Sequence, residues 1–479
     1  MKMLLGIYGI NALAFISNLA AVFVFWALAG PAGYGSYGIY IVFLAVYYLW
    51  DNAVIKTALV VHQETAVDGA SVLGLRAISF VRGSLIPFVG GSVLLIAAGN
   101  LIYPDDAATR VGGSFVMLVV ALEHLTGYSA NRLVYQLTVA KEFRTIYTLR
   151  LGATLLRHFF SWGVLLLTGS VFWAIASIVA KGILLGAFSS FWLARKFALP
   201  SPAVPRLDRS GFAMVASFFG AALIVVIMQE LPSVYIDRSY GREPLGVYRA
   251  LYDIIAVVWF LATIYPTVLF SALLEDGNRP RAENKGGFTA YWSDRVVVFH
   301  LVYFLGVCFL LAVAPMFARS WPESMTYAAG VAGGVVILGY NRFLVEVAQA
   351  QGSGRKVFGA TVLAAFCVAL FLVVPPASIG PIRIAWAWLA GQTVFFFLLK
   401  TMVVASQDVR VHRWRDALVL LGPVYVVVIV WDFVPNLSLA VLCAVAGMAA
   451  LAALLLLMRR SFHPAGAAAP HGAAFNGLV

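Results

Sequence analysis

Apolar residues come along this chain in long runs, separated by short charged or Gly/Pro-rich breaks. A helix needs about 20 apolar residues to cross the hydrocarbon core of a bilayer. On that measure the pattern predicts spans at 3–28, 37–60, 78–102, 114–138, 147–168, 171–194, 212–231, 247–273, 297–318, 325–347, 357–375, 383–404, 417–432 and 437–458. The expected fold class is therefore an all-α polytopic membrane protein of about fourteen helices. No hydrophilic segment is long enough for a soluble domain. The tail at 459–479 is rich in Ala, Gly and Pro and is expected to be disordered.

Loop charge supports the count. With the N-terminus in the cytoplasm, 22 Lys and Arg fall in inner connections and termini and 5 in outer ones. A missed span would invert every later loop and erase that asymmetry. Both termini are therefore expected in the cytoplasm.

An internal echo organises the spans. Gly30-Pro31-Ala32-Gly33-Tyr34-Gly35-Ser36-Tyr37 opens span two, and Gly241-Arg242-Glu243-Pro244-Leu245-Gly246-Val247-Tyr248 opens span eight, 211 residues later. The same offset carries residue 1 to residue 212, where span seven begins. The expected division is a six-helix lobe at 1–194, a basic, Pro-containing cytoplasmic linker at 195–211, a second lobe at 212–404 and a helix pair at 405–458. Six is even, so the lobes share an orientation. Such a parallel repeat has its axis along the membrane normal and a pathway between the halves.

Composition narrows the class. The chain is 62% hydrophobic and 11% charged, where soluble domains hold about 25% charged residues. Its net charge of +12 is mostly loop topology, so it does not point to nucleic acid. Cys308, Cys367 and Cys443 lie apart inside apolar runs and form no disulfide or metal spacing. No phosphate-binding loop motif is present, so ATP hydrolysis is not expected.

Ionisable groups inside spans are costly and mark function unless they pair or snorkel. Arg157 in span five and Lys181 in span six are the deepest cations, with Arg150 seven residues before Arg157 on the same face. Fixed positive charge there would suit a phosphate-bearing substrate. Alternatively, Arg157 or Lys181 neutralises Glu123 or Asp51 across a helix interface. Arg82 and Arg132 lie nearer the cytoplasmic ends of their spans, where snorkelling competes with substrate contact. Arg249 and Asp253, four apart in span eight, can pair with each other or serve a gate. Glu230 falls at the outer end of span seven and is expected in water. Asp51 and Glu123, the latter beside His124, could carry a coupling proton; Asp253 is a further ion-coupling candidate. Asn11 and Asn18 share a face of span one, where they could bind sugars or hold helices together.

The stretch from Ala29 to Tyr37 resembles the start of the Wzx-type polysaccharide and O-antigen flippases of the MOP superfamily, which also holds the MATE exporters and lipid II flippases. Asp237-Arg238 through Tyr248, Pro266, Phe270 and Pro375–Ile382 resemble later segments of the same family. Two features depart from the pattern. Asp51-Asn52-Ala53 stands where an Asp-x-Gly is frequent, and fourteen spans exceed the twelve common in O-antigen flippases. The resemblance implies a MOP fold and translocation of an undecaprenyl-diphosphate-linked oligosaccharide by alternating access. It implies membrane lipids and polysaccharide-assembly proteins as partners, no covalent chemistry and no cofactor beyond a coupling proton or sodium ion. A MATE-like exporter of organic cations and a membrane enzyme of polysaccharide assembly are the alternative readings. Short, charge-poor outer loops count against the enzyme.

Overall fold

A computed structural model describes residues 2–67, 85–139, 142–196, 209–254, 354–373 and 382–401, with parts of 330–345. All the elements among these residues are helices: α1 (Lys2–Val67), α2 (Leu85–Ile102), α3 (Gly113–Thr126), α4 (Tyr128–Val139), α5 (Phe143–Thr168), α6 (Val171–Ala176), α7 (Ile178–Lys196), α8 (Arg209–Tyr240), α9 (242–254), α10 (Gly354–Val373) and α11 (Ile382–Leu399). Among the described residues, five helical stretches are long and apolar enough to cross a bilayer. The spans expected at 297–318, 417–432 and 437–458 lie outside the described residues, as does most of the linker.

Contacts gather the chain into two compact units, one of residues 9–250 and one of residues 251–479 with 1–8. In the second unit α10 and α11 pack together, with Gly391 of α11 admitting Val368 of α10. Asn341 Nδ2 donates to the Gln392 carbonyl at 2.8 Å and to its side-chain oxygen at 2.9 Å. In the first unit, α1 is bent at Gly30, whose φ of 69° belongs to the left-handed region. Phe25 and Tyr37 would stand about 18 Å apart along one straight helix. Their rings stack at 4.0 Å, so the chain folds back at Gly30 and α1 supplies two spans.

The hydropathy pattern misplaced several ends. Residues 31–36, expected as loop, are helical. So are Asp237 and Arg238 at the end of α8, and 242–246 at the start of α9. Hydropathy stops at the edge of the hydrocarbon, whereas backbone hydrogen bonding continues into the headgroup region. The span expected at 114–138 breaks at Gly127, while the one at 171–194 runs as a single apolar stretch from Val171 to Leu193 through an irregular turn at Ser177.

The sequence echo has a structural counterpart. Gly30 and its mate Gly241 both take positive φ, 69° and 94°, and each precedes a helix start. The helices that follow cross each other. A Cβ on Gly35 would lie 3.0 Å from Gly246 N and 2.5 Å from Arg242 O, and a Cβ on Gly246 would strike the Pro31 carbonyl. A Cβ on Gly38 would lie 2.8 Å from Arg249 Cγ. Gly35 and Gly246, and Gly38 and Arg249, are mates under the 211-residue offset. Mates in mutual contact are what a twofold relation between two segments requires.

Arg242 locks this crossing. Buried at 8% exposure, its guanidinium donates to Asp237 at 2.9 Å, to the Ser36 hydroxyl at 3.2 Å and to the backbone oxygens of Val111 and Pro104 at 3.2 and 3.0 Å. Helices α1 and α8 and the 103–112 loop are thereby joined through one side chain.

Candidate functional site

The polar interior of residues 9–250 is assembled by close helix packing. Gly182 and Gly186 of α7 form a Gly-x-x-x-Gly pair that lies on the backbone of α3 at Glu123 and Thr126. Small residues at that spacing let two membrane helices approach closely. Ser129 Oγ of α4 donates to the Gly186 carbonyl at 2.6 Å and fixes the depth of the contact. This approach brings Lys181 onto Glu123.

Three linked groups result. Lys181 Nζ donates to Glu123 Oε1, and Tyr40 Oη donates to Glu123 Oε2 at 2.7 Å. All three side chains are buried. One residue along α3, His124 Nε2 lies 2.7 Å from both carboxylate oxygens of Asp51 on α1. Phe88 stacks on the His124 ring and Tyr47 packs obliquely on it, each with centroids 5.3 Å away. On α5, Arg157 Nη2 donates to Asn18 Oδ1 at 2.8 Å, and His158 Nε2 lies 3.2 Å from the same oxygen. The His158 ring stacks on Trp162 at 5.0 Å.

The charges do not cancel. Lys181 and Glu123 neutralise each other, while no carboxylate stands at ion-pair distance from Arg157 among the described residues. Arg157 Nε, His158 Nδ1 and Trp162 Nε1 are buried without hydrogen-bond partners. Arg157 and Lys181 both lie within electrostatic reach of Glu123 and of Tyr48, a tyrosine that is 46% exposed. Arg157 is thus a buried cation with unused donors and no carboxylate in contact, beside an accessible phenol.

Solved structures of similar shape identify the fold. The lipid II flippase MurJ in its inward closed conformation matches with a TM-score of 0.61 at 10% identity, covering 96% of this chain and 100% of that one. A MOP superfamily transporter from Pyrococcus furiosus, described as having a binding pocket of reverse polarity that suggests a different function, matches at 0.60 and 13% identity over 84% of this chain and 96% of that one. An outward-facing multidrug resistance transporter of the MATE family matches at 0.57 and 13% identity over 83% and 96%. This chain has the MOP transporter fold. With its apolar helices, that fold makes it a multi-pass membrane protein. No family model and no curated relative matches the sequence.

Within this MOP fold the expected residues divide. Arg157, Lys181, Asn18, Asp51 and Glu123 come together in the first unit. Asn18 reaches Arg157 and His158, which favours helix glue over a sugar contact for that side chain. Arg150, exposed, lies over the Tyr147 ring at 5.6 Å on the same helix as Arg157. Arg132 on α4 is half-buried and has a partner of its own, as has Asp253 on α9. Arg82 lies outside the described residues, and so does the side chain of Asn11. Glu230 corrects an expectation. It is 8% exposed rather than in water, because α8 continues past it to Tyr240 and Arg249 of α9 reaches back to grip both its oxygens at 3.1 and 2.9 Å. Ser233 donates to the same carboxylate at 3.0 Å. Arg249 is therefore an element of the α1–α8–α9 packing. Glu230 stands 19 residues from it, beyond any helical spacing rule. His158 and Trp162 were missed, although their position beside Arg157 in a polar-poor span was a usable signal.

Proposed function

We propose that this protein is a flippase that moves a polyprenyl-diphosphate-linked oligosaccharide across the bacterial inner membrane by alternating access. The observation that carries the reading is the uncompensated charge of Arg157 within a buried polar cluster. A diphosphate cannot enter a low-dielectric cavity without fixed positive charge, and the planar guanidinium suits phosphate oxygens. Lys181, already held by Glu123, supports the field rather than supplying a separate charge. The reverse pocket polarity and different function described for the Pyrococcus furiosus transporter are a precedent for this fold serving more than one function.

The experiment is translocation of undecaprenyl-diphosphate oligosaccharide in vesicles containing the purified protein. Arg157→Ala is expected to slow it about tenfold to hundredfold, the equivalent of ~1.5–3 kcal/mol for a hydrogen bond to a charged group. Arg157→Lys should restore part of the rate. An unchanged rate in Arg157→Ala overturns the charge reading. The buried carboxylates Asp51 and Glu123 favour a second reading, a MATE-like exporter of organic cations. Cation efflux by the same vesicles, without lipid translocation, would establish that reading instead.

A further inference from the structure

Arg242 uses every donor it has. Nε donates to Asp237 Oδ1 at 2.9 Å and Nη2 to Asp237 Oδ2 at 3.4 Å. The other three N–H groups go to Ser36 Oγ, the Val111 carbonyl and the Pro104 carbonyl at 3.2, 3.2 and 3.0 Å. The two sets differ in kind. Asp237 lies on α8 just before Gly241, whose φ of 94° turns the chain into α9, so the ion pair is internal to the α8–α9 corner. The three oxygens facing that corner are neutral and belong to α1 and the 103–112 loop. Arg238, on the same corner, donates to another neutral oxygen on that side, the Leu101 carbonyl of α2. No carboxylate of α1–α3 stands at ion-pair distance from either arginine among the described residues.

The receiving side is shaped without Arg242. Asp106 accepts from the Thr109 amide at 2.9 Å and from its hydroxyl at 2.6 Å. That hydroxyl has one proton, so in the 2.9 Å contact between the two side chains Ser36 donates and Thr109 accepts. The chain of bonds ends on a carboxylate, which polarises the Ser36 oxygen toward Arg242. At the feet of the loop, the side chains of Ser114 and Asn100 each accept from the other's backbone N–H, at 3.1 and 2.8 Å.

We propose that the 103–112 loop with Ser36 is a socket and Arg242 its plug, a latch that disengages whenever the protein opens at this end; this rests on the transporter reading above. On the topology that loop charge predicts, it is the outer end. The latch is releasable because of what leaves with the arginine. Withdrawal breaks three hydrogen bonds to neutral oxygens, which water can replace on both sides, and carries the Arg242–Asp237 pair away intact. An ion pair spanning the contact would instead leave an unpaired charge on each side, and such a contact holds rather than releases. Glu230 and Arg249 follow the same plan, since both lie on the helices of the corner. While engaged, each bond from the charged guanidinium is stronger than one between neutral groups, so the latch holds firmly until it lets go. The socket also has a ligand chemistry of its own. With Arg242 cut back to alanine, Asp237 and the three oxygens surround a guanidinium-sized space, so free guanidinium is its ligand.

The test uses the purified full-length protein without its three native cysteines and with Val111→Cys as the reporter of opening, since Val111 is fully buried. Arg242→Ala is expected to raise the rate of reaction with a water-soluble thiol reagent about tenfold or more, the scale of a lost hydrogen bond to a charged group. Millimolar guanidinium should slow that labelling toward the rate with Arg242 intact, and urea, which is neutral, should not. Arg242→Lys keeps a cation beside Asp237 but lacks the fork that spans the three oxygens. It should unfold near the wild-type temperature and still label about tenfold faster, and it carries the test if the alanine variant does not fold. Equal labelling with lysine and arginine at 242 overturns the latch, as does a guanidinium effect that urea reproduces. Vesicles that move no undecaprenyl-diphosphate oligosaccharide, while the labelling follows the expected pattern, refute the flippase reading and leave the latch standing.

Discussion

Glu123→Ala is expected to destabilise the protein by about 3–5 kcal/mol, the range for removing one partner of a buried ion pair. Lys181 is 5% exposed and its ammonium would lose its carboxylate, and the Tyr40 hydroxyl would lose its acceptor. The cost arises from the stranded charge, so removing that charge should recover most of it. The double variant Glu123→Gln with Lys181→Met keeps the volume of both side chains and buries no charge. It is expected to unfold in detergent at a temperature within a few degrees of the wild type, while Glu123→Ala unfolds far lower. Equal loss in the single and double variants would mean that the contact is packing rather than charge.

Gly246→Val should open the α1–α9 crossing. The position has no unusual backbone requirement. It is glycine because a Cβ would strike the Pro31 carbonyl on the facing helix. Backbone cannot yield as a flexible side chain can, and overpacking costs about 1–3 kcal/mol or more. That cost falls only on states in which the crossing is closed, so the variant populates open ones about tenfold or more. Ser36, fully buried at the crossing and hydrogen-bonded to Arg242 and Thr109, is the reporter. In a background lacking the three native cysteines, Ser36→Cys should react with a water-soluble thiol reagent at least tenfold faster when Gly246→Val is added. Equal labelling rates would mean that the crossing stays closed around the added side chain.

Much of the fold was legible because membrane helices are written in hydropathy. Runs of about 20 apolar residues located α5, α8, α10 and α11 to within several residues at most of their ends. The ends were less legible where helices outlast the hydrocarbon, as at Asp237 and at 31–36. In the site, rarity of charge singled out Arg157, Lys181, Asp51 and Glu123, since any ionisable group inside a span must be accounted for. Partners were not legible in the same way. Glu123 chose Lys181 rather than Arg157 because Gly182 and Gly186 draw α7 onto α3, a consequence of small-residue spacing that charge alone does not reveal. Glu230 went to Arg249 and Asp51 to His124 for the same kind of reason: helix crossings bring together residues that no local spacing relates.

The Gly35–Gly246 contact bears on ancestry as well as on gating. Two identical half-length chains meeting about a twofold axis would set the same glycine against itself, so one mutation would alter both sides of the interface together. The crossing has the form of such a homodimer interface written into a single polypeptide. Fusion releases the two sides to vary separately. Position 31 is a proline, and its mate 242 is the arginine that gathers Asp237, Ser36, Pro104 and Val111. That difference gives a symmetric contact a single-sided lock, which no true homodimer could carry.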